Sequence, residues 1–277
     1  MSSSTAQQHH QPLAHQDLTV LDNQIPSAFD RQPSTVNRLP STAKMLFPSA
    51  LLLTAPLVLA APAALEERQA PCQDVHVFLA RGTSEPYPGR QELTVNAICK
   101  GISSCGSEDI QYPAAFNPTY CASVDQGVSN GISQVTAYAS RCPNSKLVLS
   151  GYSQGAHVVG DILGGGGGSF QGCTQRTVQG LNPTTSPGNK IKAALLWGDV
   201  RHTANQAYNT NTGASRTGTW PRSGSQLTSL NRFSNVLRAI CVSTDPVCAG
   251  GQDGNSHTTY FNLFSEDAAA WVKTKLN

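Results

Sequence analysis

The sequence predicts an α/β fold: one domain built on a central, mostly parallel sheet, with helices on both faces and no lid. Three observations carry that expectation. Apolar runs of strand length alternate with segments of helical spacing, as expected when helices form the crossings between parallel strands. The clearest runs, Lys146–Ser150 and Ala193–Trp197, are apolar almost without interruption, as strands buried on both faces must be. No repeat, linker or second composition divides residues 69–277, a length sufficient for one well-buried core.

In chain order, Asp74–Ala80 is the first strand, running into Arg81-Gly-Thr-Ser-Glu85 and a Pro/Gly turn at Pro86–Gly89. Residues 91–102 space Leu93, Val95, Ala97 and Ile98 as a helix, and Ile110–Pro113 reads as a short strand. The clearest helix is 122–139, where Val124, Val128, Ile132, Val135 and Ala139 trace one apolar face and Pro143 marks the stop. After the strand 146–150, a helix from Gln154 carries Val158, Val159, Ile162 and Leu163. The five glycines Gly164–Gly168 are expected to end it as a flexible loop; no Lys-Ser or Lys-Thr follows, as a phosphate-cradling loop requires. Residues 171–190, with Pro183 and Pro187, read as loop, and 193–197 is a strand ending at Gly198-Asp199. Residues 201–224 form the longest structureless stretch, a kind of segment that is often functional. Val236–Val242 is the last strand. Ser265 is expected to cap the terminal helix, with Glu266 and Asp267 in its first turn and Lys273 and Lys275 in its last.

The amino-terminal quarter is different in kind. Residues 1–44 are polar, without periodicity, and are expected to be disordered. Residues 45–60, from Met45, read as a signal peptide, followed by the small residues Ala60, Ala61 and Ala63; the run is short for a membrane span and broken by Pro48 and Pro56. Met45 is therefore the expected start, 1–44 an upstream extension or gene-model artefact, 61–68 a short propeptide, and 69–277 the working domain. The net charge of +2, with only 13% charged residues and no basic face, excludes nucleic acid as a partner. The mature form is expected to be a secreted, extracellular monomer that does not bind membrane. All eight cysteines lie between Cys72 and Cys248, without C-x-x-C pairs or zinc-ligand spacing, so with an export signal they imply up to four disulfides.

The chemistry concentrates at Gly151-Tyr-Ser-Gln-Gly155, between the buried strand and the amphipathic helix. A serine on such a turn is strained, with its hydroxyl exposed, and the flanking glycines admit close neighbours. Ser153 then needs a base to take its proton and an acid to orient that base, in the order Ser, Asp or Glu, His. His76 lies inside a strand and reads as packing. His157, one turn along the rigid helix, reads as structural or solvent-facing, and His202, just after a strand, is the runner-up. His257, in a polar loop between the last strand and the terminal helix, is the expected base. Asp245 is preferred to Asp199 as the acid. A disulfide closing the 241–248 loop would pin it, and Pro246 restricts its backbone. The oxyanion donors are expected from the Gln154 N–H and from Gly82-Thr83-Ser84, including the Thr83 hydroxyl.

Four motifs in order, Ala80-Arg-Gly-Thr-Ser-Glu85, Gly151-Tyr-Ser-Gln-Gly155, Cys241-x3-Asp-Pro-x-Cys248 and the late His257, resemble the fungal cutinase and acetylxylan esterase family over roughly residues 72–277. The resemblance implies a compact, lidless α/β-hydrolase-type sandwich that cleaves carboxylic esters without metal or cofactor. It implies Ser153, Asp245 and His257 as the triad, Thr83 and Gln154 as the oxyanion hole, and the disulfides Cys72–Cys142 and Cys241–Cys248. Cys99, Cys105, Cys121 and Cys173 stay open among three connectivities. Members resembling cutinases usually carry an apolar stretch before the histidine. Here the polar Ala249–Ser256 stands in that place and favours acetylated xylan of plant cell walls over cutin polyester as substrate. Trp220 and Tyr208 could stack on sugar rings or simply pack. The alternative of another class is an inactive secreted surface-binding or effector protein, against which the complete catalytic set speaks.

Overall fold

The computed structural model describes residues 71–116, 120–170 and 172–277; the expectations for residues 1–68 lie outside the described residues. The elements run β1 Val75–Ala80, α1 Glu92–Cys99, β2 Cys105–Asp109, α2 Tyr120–Arg141, β3 Lys146–Tyr152, α3 Gln154–Gly164, β4 Gly166–Phe170 and β5 Cys173–Val178. They continue with β6 Ile191–Trp197, β7 Asn209–Thr210, α4 Gly224–Asn231, β8 Leu237–Ile240, α5 Gly254–Thr258 and α6 Tyr260–Lys275. Six strands form one sheet in the order β2-β1-β3-β6-β8-β7, and every neighbouring pair is parallel. The predicted α/β class with a parallel central sheet is therefore present.

Successive side chains of a strand point to opposite faces, and the two core clusters divide on that rule. Val75, Val77 and Leu79 of β1, Val148 of β3, Ala193, Leu195 and Trp197 of β6 and Ile240 of β8 pack on one face with α1 and α6. Phe78, Leu147, Leu149, Ala194, Leu196, Leu237 and Ala239 pack on the other with α2, α3 and α4. Strands buried on both sides account for the unbroken apolar runs.

Three local expectations are corrected. The second strand is Cys105–Asp109 rather than 110–113: as an edge strand it pairs only with β1, so it needs no apolar run. Ile110 and Tyr112 follow it into the core as irregular chain, and the Ile110 N–H still donates to Leu79 O at 2.8 Å. The glycine run does end α3, but Gly166–Phe170 then pairs antiparallel with Cys173–Val178 where loop was expected. Gly167 and Gly168 take φ of 120° and 131° in this hairpin, which glycine alone adopts readily. The terminal helix begins at Tyr260, five residues before Ser265, because Tyr260 and Phe261 are buried in its first turn. Ser265 instead meets Thr94 at 2.8 Å inside the α1–α6 contact.

All eight cysteines are paired: Cys72–Cys142, Cys99–Cys105, Cys121–Cys173 and Cys241–Cys248. The bridges tie the segment before β1 to the end of α2, α1 to β2, the β4–β5 hairpin to α2, and the loop after β8 to itself.

Candidate active site

In an open parallel sheet, loops leaving the carboxyl ends of the strands converge at one edge. Ser153 follows β3, Asp245 lies in the loop after β8, and His257 is in α5, which that loop leads into. The turn at Ser153 is as tight as its glycines suggest. Ser153 has φ 55° and ψ −116°, a conformation L-residues rarely adopt. A Cβ on Gly155 would stand 2.0 Å from Ala80 O, and one on Gly151 2.2 Å from Gly155 O. Those close approaches let α3 start directly against β1 and β3. The Ser153 N–H donates to Trp197 O at 2.8 Å, which fastens the turn to β6.

Three side chains from separate segments make one line. Ser153 Oγ is 2.9 Å from His257 Nε2, and His257 Nδ1 is 2.8 Å from Asp245 Oδ2. With Nδ1–H donating to the carboxylate, Nε2 is left as the acceptor for the serine proton. Asp245 is fully buried, and its Oδ1 also accepts from Val247 N–H at 2.6 Å. Burial alone would raise its pKa. The bonds from His257, Tyr260 and Val247, with the histidine's charge, outweigh burial and hold it below the usual carboxylate value. Asp245 therefore stays ionised across the neutral range.

The loop after β1 faces the turn closely, since a Cβ on Gly82 would lie 2.7 Å from the Tyr152 ring. Within it, Gly82 N–H donates to Glu85 Oε2 at 2.8 Å and Ser84 N–H to Ala114 O at 2.8 Å. Thr83 between them has no hydrogen-bond partner among the described residues. Gln154 opens α3, where the first N–H groups of a helix lack intrahelical acceptors. Its side chain is occupied, donating to Ala115 O at 2.8 Å and accepting from Ser123 Oγ at 2.9 Å. The donors left free are thus the Gln154 N–H and Thr83 with its hydroxyl.

The other candidates are placed elsewhere. His76 stacks on Tyr138 with ring centroids 3.9 Å apart. His157 is fully buried, 2.9 Å from the Tyr120 hydroxyl and 3.2 Å from Asp161, so of its two expected roles the structural one applies. His202 is buried with Nε2 3.3 Å from Gly213 O, and burial lowers its pKa. Asp199 accepts from the Arg201 N–H at 2.9 Å and makes no bond to His257. Tyr208 is buried in the core, and Trp220 packs on Tyr120 and Phe170 with centroids 5.2 and 5.5 Å away. Both are packing residues in this structure. In Ala249–Ser256 the side chains tie the loop that carries Asp245 to α5: Asp253 caps α5 through Asn255 N–H, and Ser256 lies 2.7 Å from both Asp253 and Thr244.

Three contributors escaped the sequence reading. The Tyr152 hydroxyl donates to His257 O at 2.8 Å, Tyr260 reaches Asp245 at 2.6 Å, and Gly198 (φ 53°) lies under the imidazole, where a Cβ would stand 2.9 Å from it. A tyrosine carries no local signal of its partner, and only the Gly198 position after a strand hinted at close approach. Among the described residues no group of three or more His, Cys, Asp or Glu is arranged to hold a metal ion.

The family model for Cutinase matches residues 71–276. The chain is 34% identical to Cutinase 11 of Verticillium dahliae over 83% of this chain and 77% of that one. It is 32% identical to Acetylxylan esterase 2 of Talaromyces purpureogenus over 74% and 88%. Among solved structures, the catalytic core domain of acetyl xylan esterase from Trichoderma reesei superposes with a TM-score of 0.66 at 28% identity, covering 74% of this chain and all of that one.

Proposed function

The chain belongs to the cutinase family of serine ester hydrolases, and on that premise we propose that Ser153, His257 and Asp245 deacetylate acetylated xylan in plant cell walls. The observation that carries the triad is the unbroken line from Ser153 Oγ through His257 to Asp245, with steps of 2.9 and 2.8 Å. Ser153 Oγ attacks the acetyl carbonyl while His257 Nε2 takes its proton; Asp245 holds the tautomer and stabilises the imidazolium. The negative charge on the tetrahedral oxygen is met by the Gln154 N–H and by Thr83, and His257 returns the proton to the departing sugar oxygen. Water, deprotonated by the same histidine, then attacks the acetyl-serine. Acetate leaves and Ser153 is regenerated.

The substrate choice is supported by the polar 249–256 segment beside His257 and by the relative named acetylxylan esterase. A second reading, cutin polyester, is favoured by the relative named Cutinase 11 and by exposed Tyr87, Phe116 and Leu263. These residues sit in segments that leave the catalytic edge. The enzyme is proposed to act outside the cell, with residues 45–60 as export signal, 61–68 as propeptide and 69–277 as the mature domain; four disulfides suit that compartment.

The test is a chain-length series of p-nitrophenyl esters beside acetylated xylan and a cutin-like polyester, with Ser153→Ala as the control. Highest kcat/KM on acetate and acetate release from xylan are expected, with both abolished in a folded Ser153→Ala. A maximum at longer acyl chains with polyester release would move the substrate to cutin, and surviving activity in Ser153→Ala would remove the nucleophile.

A further inference from the structure

The first residue of α6, Tyr260, is three positions beyond His257, so the helix start folds its ring back beside the imidazole, with centroids 6.4 Å apart at 86°. The ring is almost fully buried, and Trp197 and Phe264 pack against it. Its hydroxyl touches three groups: Val242 N at 3.2 Å, Cys248 Sγ at 3.2 Å and Asp245 Oδ2 at 2.6 Å. The Val242 amide can only donate, and Cys248 sulfur, bonded to Cys241, carries no hydrogen. The hydroxyl therefore accepts from Val242, and its single hydrogen goes to the carboxylate at 2.6 Å, a far stronger acceptor than the disulfide sulfur.

We infer that Tyr260 is a positioning residue for the catalytic acid, a second donor of fixed direction that holds Asp245 Oδ2 in place for His257. This rests on the triad reading above. Asp245 is then clamped at both oxygens: Oδ1 takes Val247 N–H at 2.6 Å, and Oδ2 takes His257 Nδ1 at 2.8 Å together with Tyr260. Two donors on Oδ2 and two on Oδ1, where the Cys248 N–H at 3.4 Å joins that of Val247, fix the rotation of the carboxylate plane. Burial, and then the Asp245 charge, push the Tyr260 pKa far above its ordinary value, so the hydroxyl keeps its hydrogen through the working range.

Sharing Oδ2 has an electrostatic consequence. A donor from Tyr260 draws negative charge away from the oxygen that faces the imidazole, so the imidazolium is less stabilised than with Asp245 alone. Deleting the hydroxyl leaves the full charge of that oxygen facing the imidazole. The other titratable groups around the pair are Tyr152 from β3, with the Glu85–Arg90 pair beyond it, and His202 from the loop after β6; none donates to the carboxylate.

The experiment compares wild type, Tyr260→Phe, Tyr152→Phe and Asp245→Asn on p-nitrophenyl acetate across pH. Phenylalanine keeps the ring packing and removes only the hydroxyl. Tyr260→Phe is expected to lower kcat about tenfold with KM within about twofold, and to move the acid limb of kcat/KM up by about half a unit. Tyr152→Phe removes a hydroxyl from the same histidine's carbonyl and not from the carboxylate, so its acid limb should stay in place. The His257 imidazole resonance, titrated in the Ser153→Ala background, reads the same shift without turnover. An unmoved limb in Tyr260→Phe, or an equal rise in Tyr152→Phe, overturns the inference while leaving the triad intact. Full activity in Asp245→Asn removes the triad reading instead.

Discussion

Asp161→Asn is the perturbation that most directly tests how the nucleophile helix is tied to the rest of the site. Asp161 is on α3, two turns beyond Ser153, and is fully buried. Its Oδ1 accepts from Arg222 at 2.5 Å and lies 3.3 Å from Arg201; its Oδ2 accepts from Gln175 at 2.7 Å and lies 3.2 Å from His157. The two arginines stand near opposite ends of the 198–224 loop, and Gly160 leaves room for Arg222, since a Cβ there would stand 2.5 Å from Nη2. Further along, Thr219 N–H donates to Val247 O at 3.0 Å, and Val247 N–H donates to Asp245. One carboxylate thus holds a strap that runs from α3 to the loop that carries Asp245. Neutralising it leaves two buried guanidinium groups without their counterion, a loss of about 3–5 kcal/mol. At about 2–4 °C per kcal/mol for a domain of this size, the melting temperature should fall by about 6–20 °C. Burial would raise the Asp161 pKa, but His157, Arg222 and Arg201 outweigh it and hold the carboxyl well below the usual range. A depressed folded pKa gives stability that is complete above the unfolded value near 4 and is lost as pH falls below it. The gap between wild type and variant should therefore be full at neutral pH and narrow below about pH 4. Calorimetry at several pH values, with p-nitrophenyl acetate turnover alongside, measures both. A melting temperature within about 2 °C of wild type at pH 7 would refute the strap.

The turn at Ser153 yields a stability prediction independent of turnover. Ser153→Gly and Ser153→Ala both remove the proposed nucleophile, but only glycine relaxes φ 55°, ψ −116°. Strain of about 1–3 kcal/mol, less about 0.4–1 for the freer unfolded glycine, leaves the Gly variant more stable by about 1 kcal/mol. Equal or lower stability in thermal unfolding would show an unstrained turn. Asp245→Asn should reduce kcat by about 10⁴ through the wrong imidazole tautomer. Asp199→Asn should keep most activity, because its carboxylate bonds the Arg201 amide and not His257. Steady-state kinetics showing the reverse order would exchange the two acids.

Much of the fold was legible because local physics and tertiary position coincide in its centre. Strands β1, β3 and β6 are buried on both faces, so their apolar runs appear directly in the sequence; the polar edge strand β2 and the glycine-built β4 carry no such run, and nothing local marks them as strands. Ser265 followed the local pattern of a cap, and the burial of Tyr260 and Phe261 overrode it. At the site, the glycines around Ser153 and the Cys-bounded Asp245 are local devices, and both could be read in advance. The sequence by itself therefore determined which residues are candidates to act, since residue type and backbone permission are local properties. The tertiary structure decided what holds them. Tyr260 and Tyr152 bond Asp245 and His257 only because α6 and β3 meet there, and Arg201 and Arg222 share Asp161 across 40 and 61 positions of chain. Contacts between distant segments depend on how the sheet stacks its loops at one edge. No single stretch of sequence encodes that distance.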